Sequence, residues 1–466
     1  MANKHNLLLA YYGDDFTGST DAMEFLTRAG IKTVLFIEAP TPDQLSRYEG
    51  LQAIGIAGLT RSMTPDEMEK ELLPAFSALK DLRVPHVHYK VCSTFDSSPH
   101  IGSIGKAADM GAKIFNAPFI PVLVAAPALG RYCAFGNLYA RMGIGSNGDI
   151  FRLDRHPSMS KHPTTPADES DLRLHLAKQT SQPIGLVDIL TVALPEDEAR
   201  EKLNQEVEAG KKIVFFDAMY DSHLLPIAKL ISKYATKPKP LFSIGSSGIE
   251  MALGKYWKTH GMVQSKVKWA PVGKAETMLV VSGSCSPVTA SQIEYAVKQG
   301  FAPISIDTAA IAATSGIYKT IHGYIDLAVA YINMGLHVIM HTSVGIDDPR
   351  IPETHKAFKK RGIKEKDIAI KTAQLYGATL GYIAIGVAEA LHLQRLVIAG
   401  GDTSSYVART MGIEAVEMIA PVTPGAPLCR AYAPDSAAHN IEVNFKGGQV
   451  GPENYFELVL NGESTI

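Results

Sequence analysis

Cysteine is scarce in this 466-residue chain: Cys92, Cys133, Cys285 and Cys429 lie far apart and form no CxxC pair. That excludes a disulfide framework and a thiolate zinc site, and it points to a reducing cytoplasm. Neither sign of charge is in excess, with a formal net charge of -2, so nothing in the electrostatics calls for DNA, RNA or an anionic membrane as partner. No run reaches the ~18 apolar residues of a membrane helix, and the short N-terminal apolar run leads into acidic residues rather than a cleavage site. Short-period repeats and low-complexity tracts are absent. Neither a Walker A Gly-Lys-Ser/Thr nor a GxGxxG fingerprint is present. What remains is a chain with 46% hydrophobic residues, long enough for two or perhaps three domains of roughly 150 residues each.

Short apolar, β-branched runs alternate with amphipathic stretches, the pattern of a parallel sheet covered by helices. In the first half the strands are expected near 6–12, 31–37, 52–58, 86–91, 120–125, 184–188, 211–216 and 240–244. Thr64-Pro65-Asp66-Glu67 is a helix start, with proline in the first turn and acids at the positive dipole end, and it leads into Met68, Leu72, Leu73, Phe76 and Leu79 at helical spacing. Residues 145–182 break the alternation with Arg152, Asp154, Arg155, His156, Pro157, His162, Pro163 and Pro166, too long a stretch for a simple connection. Periodicity fades near 255–277. The expected organisation is therefore an α/β domain over 1–258, a linker over 259–276 and a second α/β domain over 277–466, each a mostly parallel sheet flanked by helices, with the active site in the interdomain cleft. In the second half strands are expected near 277–282, 302–306, 336–341 and 394–399, a long helix from about 365 to 391, and shorter strands after 412.

The strongest chemical signal is Gly13-Asp14-Asp15-Phe16-Thr17-Gly18-Ser19, directly after the apolar run Leu7 to Tyr12 and before a helical pattern. Ligand sites of open α/β sheets are built at such strand ends. Two adjacent carboxylates repel, and a helix start relieves only part of that, so the turn calls for a cation, a metal or a polar substrate. The competing reading is a plain helix cap by Asp15 or Thr17.

Two further turns, Val281-Ser282-Gly283-Ser284-Cys285-Ser286-Pro287 and Ala399-Gly400-Gly401-Asp402-Thr403-Ser404, run from strands into helices. Glycines let the backbone approach an anion, and hydroxyls and free N–H groups donate to phosphate oxygens. Each turn alone is ordinary. Together with Lys446-Gly447-Gly448 they favour a polyphosphate site. His86, His88, His156 and His162 lack a third ligand at a recognisable spacing, so satisfied or surface histidines are expected rather than zinc. Cys92 and Cys285 are expected as small buried thiols.

Taken in order, GDDFTGSTD, the strand end Tyr89 to Ser97, HPSMSKHPTTPADESDL, VSGSCSPVT, AGGDTS and KGGQVGPENYF resemble the motifs of the four-carbon acid sugar kinase family across almost the whole chain. The resemblance implies an N-terminal sugar-acid-binding domain and a C-terminal nucleotide-binding domain that together phosphorylate tetronates with ATP. It puts Asp14, Asp15, Arg61, Lys90, Ser93, Thr94 and Asp96 on the substrate side, and Ser282, Gly283, Ser284, Gly400, Gly401, Asp402, Thr403 and Gly448 on the ATP side. Where many members read Asp-Ser-Thr-Leu-Arg-Gly, this chain reads Cys92-Ser93-Thr94-Phe95-Asp96-Ser97, which is similar to the 3-oxo-tetronate kinase branch. Ala167 stands where the family's HPxTPM segment has methionine.

Phosphoryl transfer needs in-line positioning and charge relief more than covalent chemistry. Asp14 or Asp15 is expected to orient and deprotonate the acceptor hydroxyl, catalytic roles between which the sequence does not choose. Arg61 and Lys90 offer charge for the substrate carboxylate, and Ser93, Thr94 and Asp96 offer partners for hydroxyls. Mg²⁺ is implied by ATP; Asp402 is a candidate ligand or a helix cap, and the metal ligands are otherwise unknown. The expected partners are a small sugar acid and ATP, with no nucleic acid and no membrane; a homodimer is the one assembly considered. A metal-dependent hydrolase and a non-catalytic nucleotide-responsive binder are the alternatives. The first leaves the glycine-rich turns unexplained, and the second has no need of a base.

Overall fold

The computed structural model describes residues 6–142, 148–162, 164–263, 267–314 and 318–465; Pro163 and residues 145–147 of the long interruption lie outside the described residues. The chain divides into two compact units, Met1–Lys268 and Trp269–Ile466.

The first unit contains β1 (Leu9–Gly13), β2 (Thr33–Phe36), β3 (Ala53–Ala57), β4 (His86–Lys90), β5 (Ile120–Leu123), β6 (Arg131–Ala134), β7 (Asn137–Arg141), β8 (Ile150–Arg152), β9 (Ile184–Val187), β10 (Ile213–Phe216) and β11 (Leu241–Gly245). Within it a parallel sheet runs in the order β2-β3-β1-β4-β11-β5-β10-β9. Every residue of β1, β3, β4 and β11 is buried, as expected of strands covered on both faces. After β1 the chain builds β2 and β3 on one side of it and then crosses to lay β4 on the other, so the sheet's switch point falls at β1. The register sets Gly13 level with Ala57 and with Lys90, which brings the residues that follow these three strands to one edge.

The helix Pro65–Asp81 begins with the expected cap: Thr64 N donates to Glu67 Oε2 (2.8 Å) and the Thr64 hydroxyl accepts from Glu67 N (3.4 Å). Met68, Leu72, Phe76 and Leu79 are buried, whereas Leu73 lies off that face and is exposed. Phe76 packs edge-on or tilted against Tyr12, Tyr89, Phe115 and Phe242, with ring centroids 6.3, 6.0, 5.8 and 5.2 Å away. This aromatic cluster locks the helix onto the strands that carry the acidic turn.

One structure was not anticipated. β6, β7 and β8 form a small antiparallel sheet, whereas the sequence suggested no strand between 125 and 184 and only the interruption over 145–182. The β6–β7 turn is Phe135-Gly136, both at positive φ (51° and 80°), a backbone that Asn-Gly normally announces. A phenylalanine at the first position hid the hairpin.

The second unit contains β12 (Met278–Ser282), β13 (Ala302–Ser305), β14 (Val338–His341), β15 (Arg395–Ala399), β16 (Ala415–Thr423), β17 (Ala426–Tyr432) and β18 (Glu442–Lys446). Their order is β13-β14-β12-β15-β18-β17-β16, parallel from β13 to β18, with β17 antiparallel to both β18 and β16. The long helix spans Glu365–Ala390. Its switch point is at β12, between β14 and β15, and the register sets Ser282 level with Ala399, and Ala399 level with Lys446.

Phe76→Ala is expected to destabilise the first unit by about 3–5 kcal/mol, the usual result of emptying a buried aromatic site. Urea unfolding followed by tyrosine fluorescence measures it, and a loss below about 1 kcal/mol would mean that the cluster does not hold the helix.

Candidate active site

The acidic turn is a helix cap and a cation site at once. Asp14 N donates to Lys90 O (2.8 Å) and Arg61 N donates to Asp14 O (3.0 Å), so the ends of β1, β3 and β4 are tied together through the main chain. From the short turn Thr60–Ser62 the Arg61 side chain then reaches both carboxylates. Its Nε and Nη2 donate to Asp14 (3.1 and 2.7 Å), and its Nη1 and Nη2 donate to Asp15 (2.8 and 2.9 Å). Asp15 also caps the helix Phe16–Arg28, accepting from Gly18 N and from the Thr17 hydroxyl, each at 2.8 Å.

Burial pushes the Asp14 carboxyl above the usual range, with Arg61 pulling it back. Burial also opposes the Arg61 charge, yet the two aspartates outweigh it and raise its pKa. Arg61 is thus neither a solvated surface arginine nor a free cation.

Lys90, at the end of β4, is buried beneath this turn. Its Nζ lies 3.5 Å from Asp21 Oδ2 and donates to Val91 O (3.2 Å). Gly18 makes room for it, since a Cβ there would stand 3.3 Å from that ammonium. Asp21 accepts in turn from the Ser247 hydroxyl. Burial works against the Lys90 charge, but the carboxylates around it, Asp21 foremost, more than offset it and its pKa is raised.

Behind Lys90, Glu250 Oε1 is 3.5 Å from His88 Nε2, and neither Glu250 oxygen has a hydrogen-bond partner among the described residues. Burial lifts Glu250 to about 8, so it is a neutral acid at pH 7. Burial likewise drops His86 and His88 to about 3. Both are neutral core histidines, as expected, and His88 Nδ1 is satisfied by Ser243 Oγ at 3.0 Å. No group of three or more His, Cys, Asp or Glu side chains able to hold a metal occurs among the described residues.

The loop after β4 is held by packing. Phe95 adopts a positive φ of 57° and packs between His175 and Phe215, with ring centroids 6.0 and 5.9 Å away. Cys92 Sγ lies 2.9 Å from Thr94 Oγ1, and burial raises its thiol to about 11, which makes it inert. Asp96 Oδ1 is buried and has no hydrogen-bond partner among the described residues. Thr94, Phe95 and Asp96 line a small cavity together with Leu153, Thr165 and Ala167, so the histidine- and proline-bearing segment does meet the loop. Ser93 accepts from Arg131 Nε at 3.3 Å. Sequence reasoning passed over Arg131, Asp21 and Glu250. Asp21 was visible within GDDFTGSTD, one helical turn after Thr17, but Arg131 and Glu250 had no motif to mark them.

In the second unit the three small-residue turns converge. Gly283 N donates to Ala399 O (2.9 Å), and Gly400 N donates to Lys446 O (3.0 Å). Ser286 caps the helix Pro287–Lys298, and the Ser404 hydroxyl donates to Gly400 O (2.6 Å) at the start of Gly401–Thr410. A Cβ on Gly448 would stand 2.8 Å from Ser284 Oγ, so the third turn lies directly against the first. Thr289 Oγ1 donates to Gly448 O (2.8 Å) and accepts from Lys446 Nζ (3.0 Å), a lysine that burial lowers to about 7. Ser282 and Thr403 are buried here, and the Asp402 side chain lies outside those described. Cys285 is exposed rather than buried, because its turn turns it away from the sheet. Two helix N-termini thus open among serines and glycines, an arrangement with the donors that an anion requires.

A charge-clamped acidic turn in one unit and small-residue turns at two helix starts in the other are the parts that a small-molecule kinase uses. Residues 9–253 match the model of a sugar-binding N-terminal domain and residues 279–456 that of a nucleotide-binding C-terminal domain. The chain belongs to the four-carbon acid sugar kinase family, a family of ATP-dependent sugar-acid kinases. It is 37% identical over 457 residues to a 3-oxo-isoapionate kinase of Paraburkholderia graminis, covering 98% of this chain and 94% of that one. It is 27% identical over 452 residues to a 3-oxo-tetronate kinase of Salmonella typhimurium, covering 97% and 98%. A solved structure from Salmonella typhimurium LT2, described as a tRNA synthase, matches with TM-score 0.74 at 24% identity over 97% of this chain and 98% of that one. A Haemophilus influenzae protein matches with TM-score 0.68 at 23% identity over 96% and 98%. At such identities these two likenesses speak for the fold alone. No helix among the described residues is long and apolar enough to cross a membrane.

Glu250 gives the site a pH signature. Its folded pKa of about 8 lies above the ordinary 4.5, so the stability from its retained proton is full below about pH 4.5 and is lost as pH rises through about 8. Denaturant unfolding of the wild type and Glu250→Gln from pH 4 to 9 is expected to show the variant gaining relative stability across that window and levelling off above it. A pH-independent difference would mean that Glu250 is already ionised.

Proposed function

We propose that this chain transfers the γ-phosphoryl group of ATP to a hydroxyl of a four-carbon 3-oxo sugar acid, with threonate and erythronate as weaker acceptors. The observation that carries the reading is the acidic pair held by Arg61 at the switch point of a sugar-binding unit, in a chain whose other unit matches a nucleotide-binding domain. The 3-oxo preference is supported by the names of the two relatives, both kinases of 3-oxo acids, and by the Cys92–Ser97 form of the substrate loop. Ser93, Thr94 and Asp96 would meet the acceptor's hydroxyls.

Asp14 is the better base. Both Asp15 oxygens already accept two hydrogen bonds each, from Gly18 N, Thr17 and Arg61, whereas each Asp14 oxygen accepts one, from Arg61. Burial raises the Asp14 pKa toward that of a useful base, and Arg61 fixes its orientation. Asp15 then positions Arg61 and caps the helix. On the nucleotide side Ser282, Gly283, Ser284, Gly400, Gly401, Thr403 and Gly448 would cradle the phosphates. Mg²⁺ would be held mainly by those phosphates and water, which requires only one or two protein carboxylates, Asp402 being the candidate. Four free cysteines and the need for ATP fit a cytoplasmic enzyme.

Incubation with Mg-ATP and 3-oxo-tetronate, threonate or erythronate, followed by ADP release, is expected to give the fastest turnover on the 3-oxo acid. ATP-induced thermal stabilisation without ADP on any acid would reduce the chain to a binder, and metal-dependent phosphate release from simple esters would revive the hydrolase.

Asp14→Asn is expected to lower kcat by about 10²–10⁴-fold with KM for ATP unchanged. Asp15→Asn is expected to cost about 1 kcal/mol of stability through the weakened cap. Equal kcat values for Asp14→Asn and wild type would remove Asp14 as the base.

A further inference from the structure

We propose that Arg131, together with Ser93, forms the subsite for the carboxylate of the sugar acid. This rests on the kinase reading above and deepens it.

The acid needs a cation, and the two cations that the sequence offers are already committed. Arg61 spends Nε, Nη1 and Nη2 on Asp14 and Asp15. Lys90 is paired with Asp21 and is 2% exposed. The loop Cys92–Ser97 carries no basic residue of its own, only Asp96.

Arg131 is different. It opens β6, which follows the C-terminal end of β5, and so stands on the same edge of the parallel sheet as the ends of β1 and β4. Its side chain is covered, with the residue only 7% exposed. Nη1 donates to Leu129 O and Arg141 O, each at 3.0 Å, and Nε donates to Ser93 Oγ at 3.3 Å. Nη2 makes no hydrogen bond, and the guanidinium enters no ion pair among the described residues.

A buried guanidinium without a counter-anion is unfavourable. Here two carbonyls hold Nη1 and Ser93 holds Nε, the hairpin fixes the side chain's origin, and Nη2 is left to donate. A carboxylate can accept from Nη2 with one oxygen and, with the other, from the Ser93 hydroxyl, whose own oxygen takes the Nε–H. Burial lowers the Arg131 pKa and the neighbouring Cys92, Asp96 and Asp21 raise it, which places the group within electrostatic reach of the substrate loop. The loop is locked at Phe95, so the pairing with Ser93 is preorganised.

The test compares 3-oxo-tetronate with erythrulose, in which the carboxylate is replaced by a neutral hydroxymethyl group. In Arg131→Gln, KM for the acid is expected to rise about 10- to 100-fold, with KM for ATP unchanged and the preference for acid over erythrulose falling by a similar factor. Arg131→Lys, which keeps the charge but not the fork, is expected to fall between. Ser93→Ala, with the guanidinium intact, serves as a second variant should Arg131→Gln not fold, and is expected to raise KM for the acid several-fold. An acid KM within about twofold of wild type in a folded Arg131→Gln, or in Ser93→Ala if that is the folded variant, would overturn the assignment. Calorimetric binding of 3-oxo-tetronate separates the two proposals. If the wild type binds the acid without releasing ADP, the kinase reading fails while loss of binding in the variants still supports the subsite; if binding persists unchanged in them, the subsite fails alone.

Discussion

The fork of Arg61 between Asp14 and Asp15 is the interaction on which the first unit's site depends. Adjacent carboxylates at a buried strand end repel each other, and desolvation adds to the cost. A guanidinium can face two carboxylates at once with separate N–H groups, which an ammonium on a flexible stem cannot do in a fixed plane. The main-chain bonds from Arg61 N to Asp14 O and from Asp14 N to Lys90 O bring the three strand ends into reach before the side chains engage. The charge arrangement is therefore a product of sheet register, with β1 level with β3 and β4.

Beneath the fork lies a second layer in which charge is settled differently. Lys90 keeps its charge because Asp21, Asp14 and Asp15 surround it, although burial raises the pKa of Asp21 itself, whereas Glu250 and His88 are neutral because neither has enough partners to justify a charge away from water. The charged lysine above and the neutral pair below give a graded transition from the polar edge to the apolar sheet, with the Lys90 ammonium near Gly18 at the foot of the helix that Asp15 caps.

Much of this was legible in the sequence. The buried strands of both sheets are apolar runs with breaks at Gly and Asp, and the capping residues of Pro65–Asp81 stand in plain order. Asp14, Asp15, Arg61 and Lys90 do meet, because each directly follows or ends such a strand. What was hidden follows from long-range geometry. The β6–β7 hairpin turns on a phenylalanine at positive φ, which no turn rule favours, so nothing marked Arg131 as the start of a strand. Glu250, in the helix Gly248–Thr259, looks like any helical glutamate until β4 and β11 bring His88 and Ser243 to its side. Arg61 was expected to face the substrate; its preference for two carboxylates over water is an outcome of burial that spacing alone does not express.

Asp15 serves two neighbours, the helix start and the guanidinium, so a change there disturbs folding and electrostatics together. The β6–β8 sheet is a short antiparallel addition after β5, tied to the parallel scaffold along its length, with Cys133 N donating to Ala218 O and Gly136 N to Asp217. A change in the hairpin reaches the Ser93 loop through Arg131 and leaves the Arg61 fork untouched, so the fit of the acceptor and the chemistry of transfer are open to separate alteration.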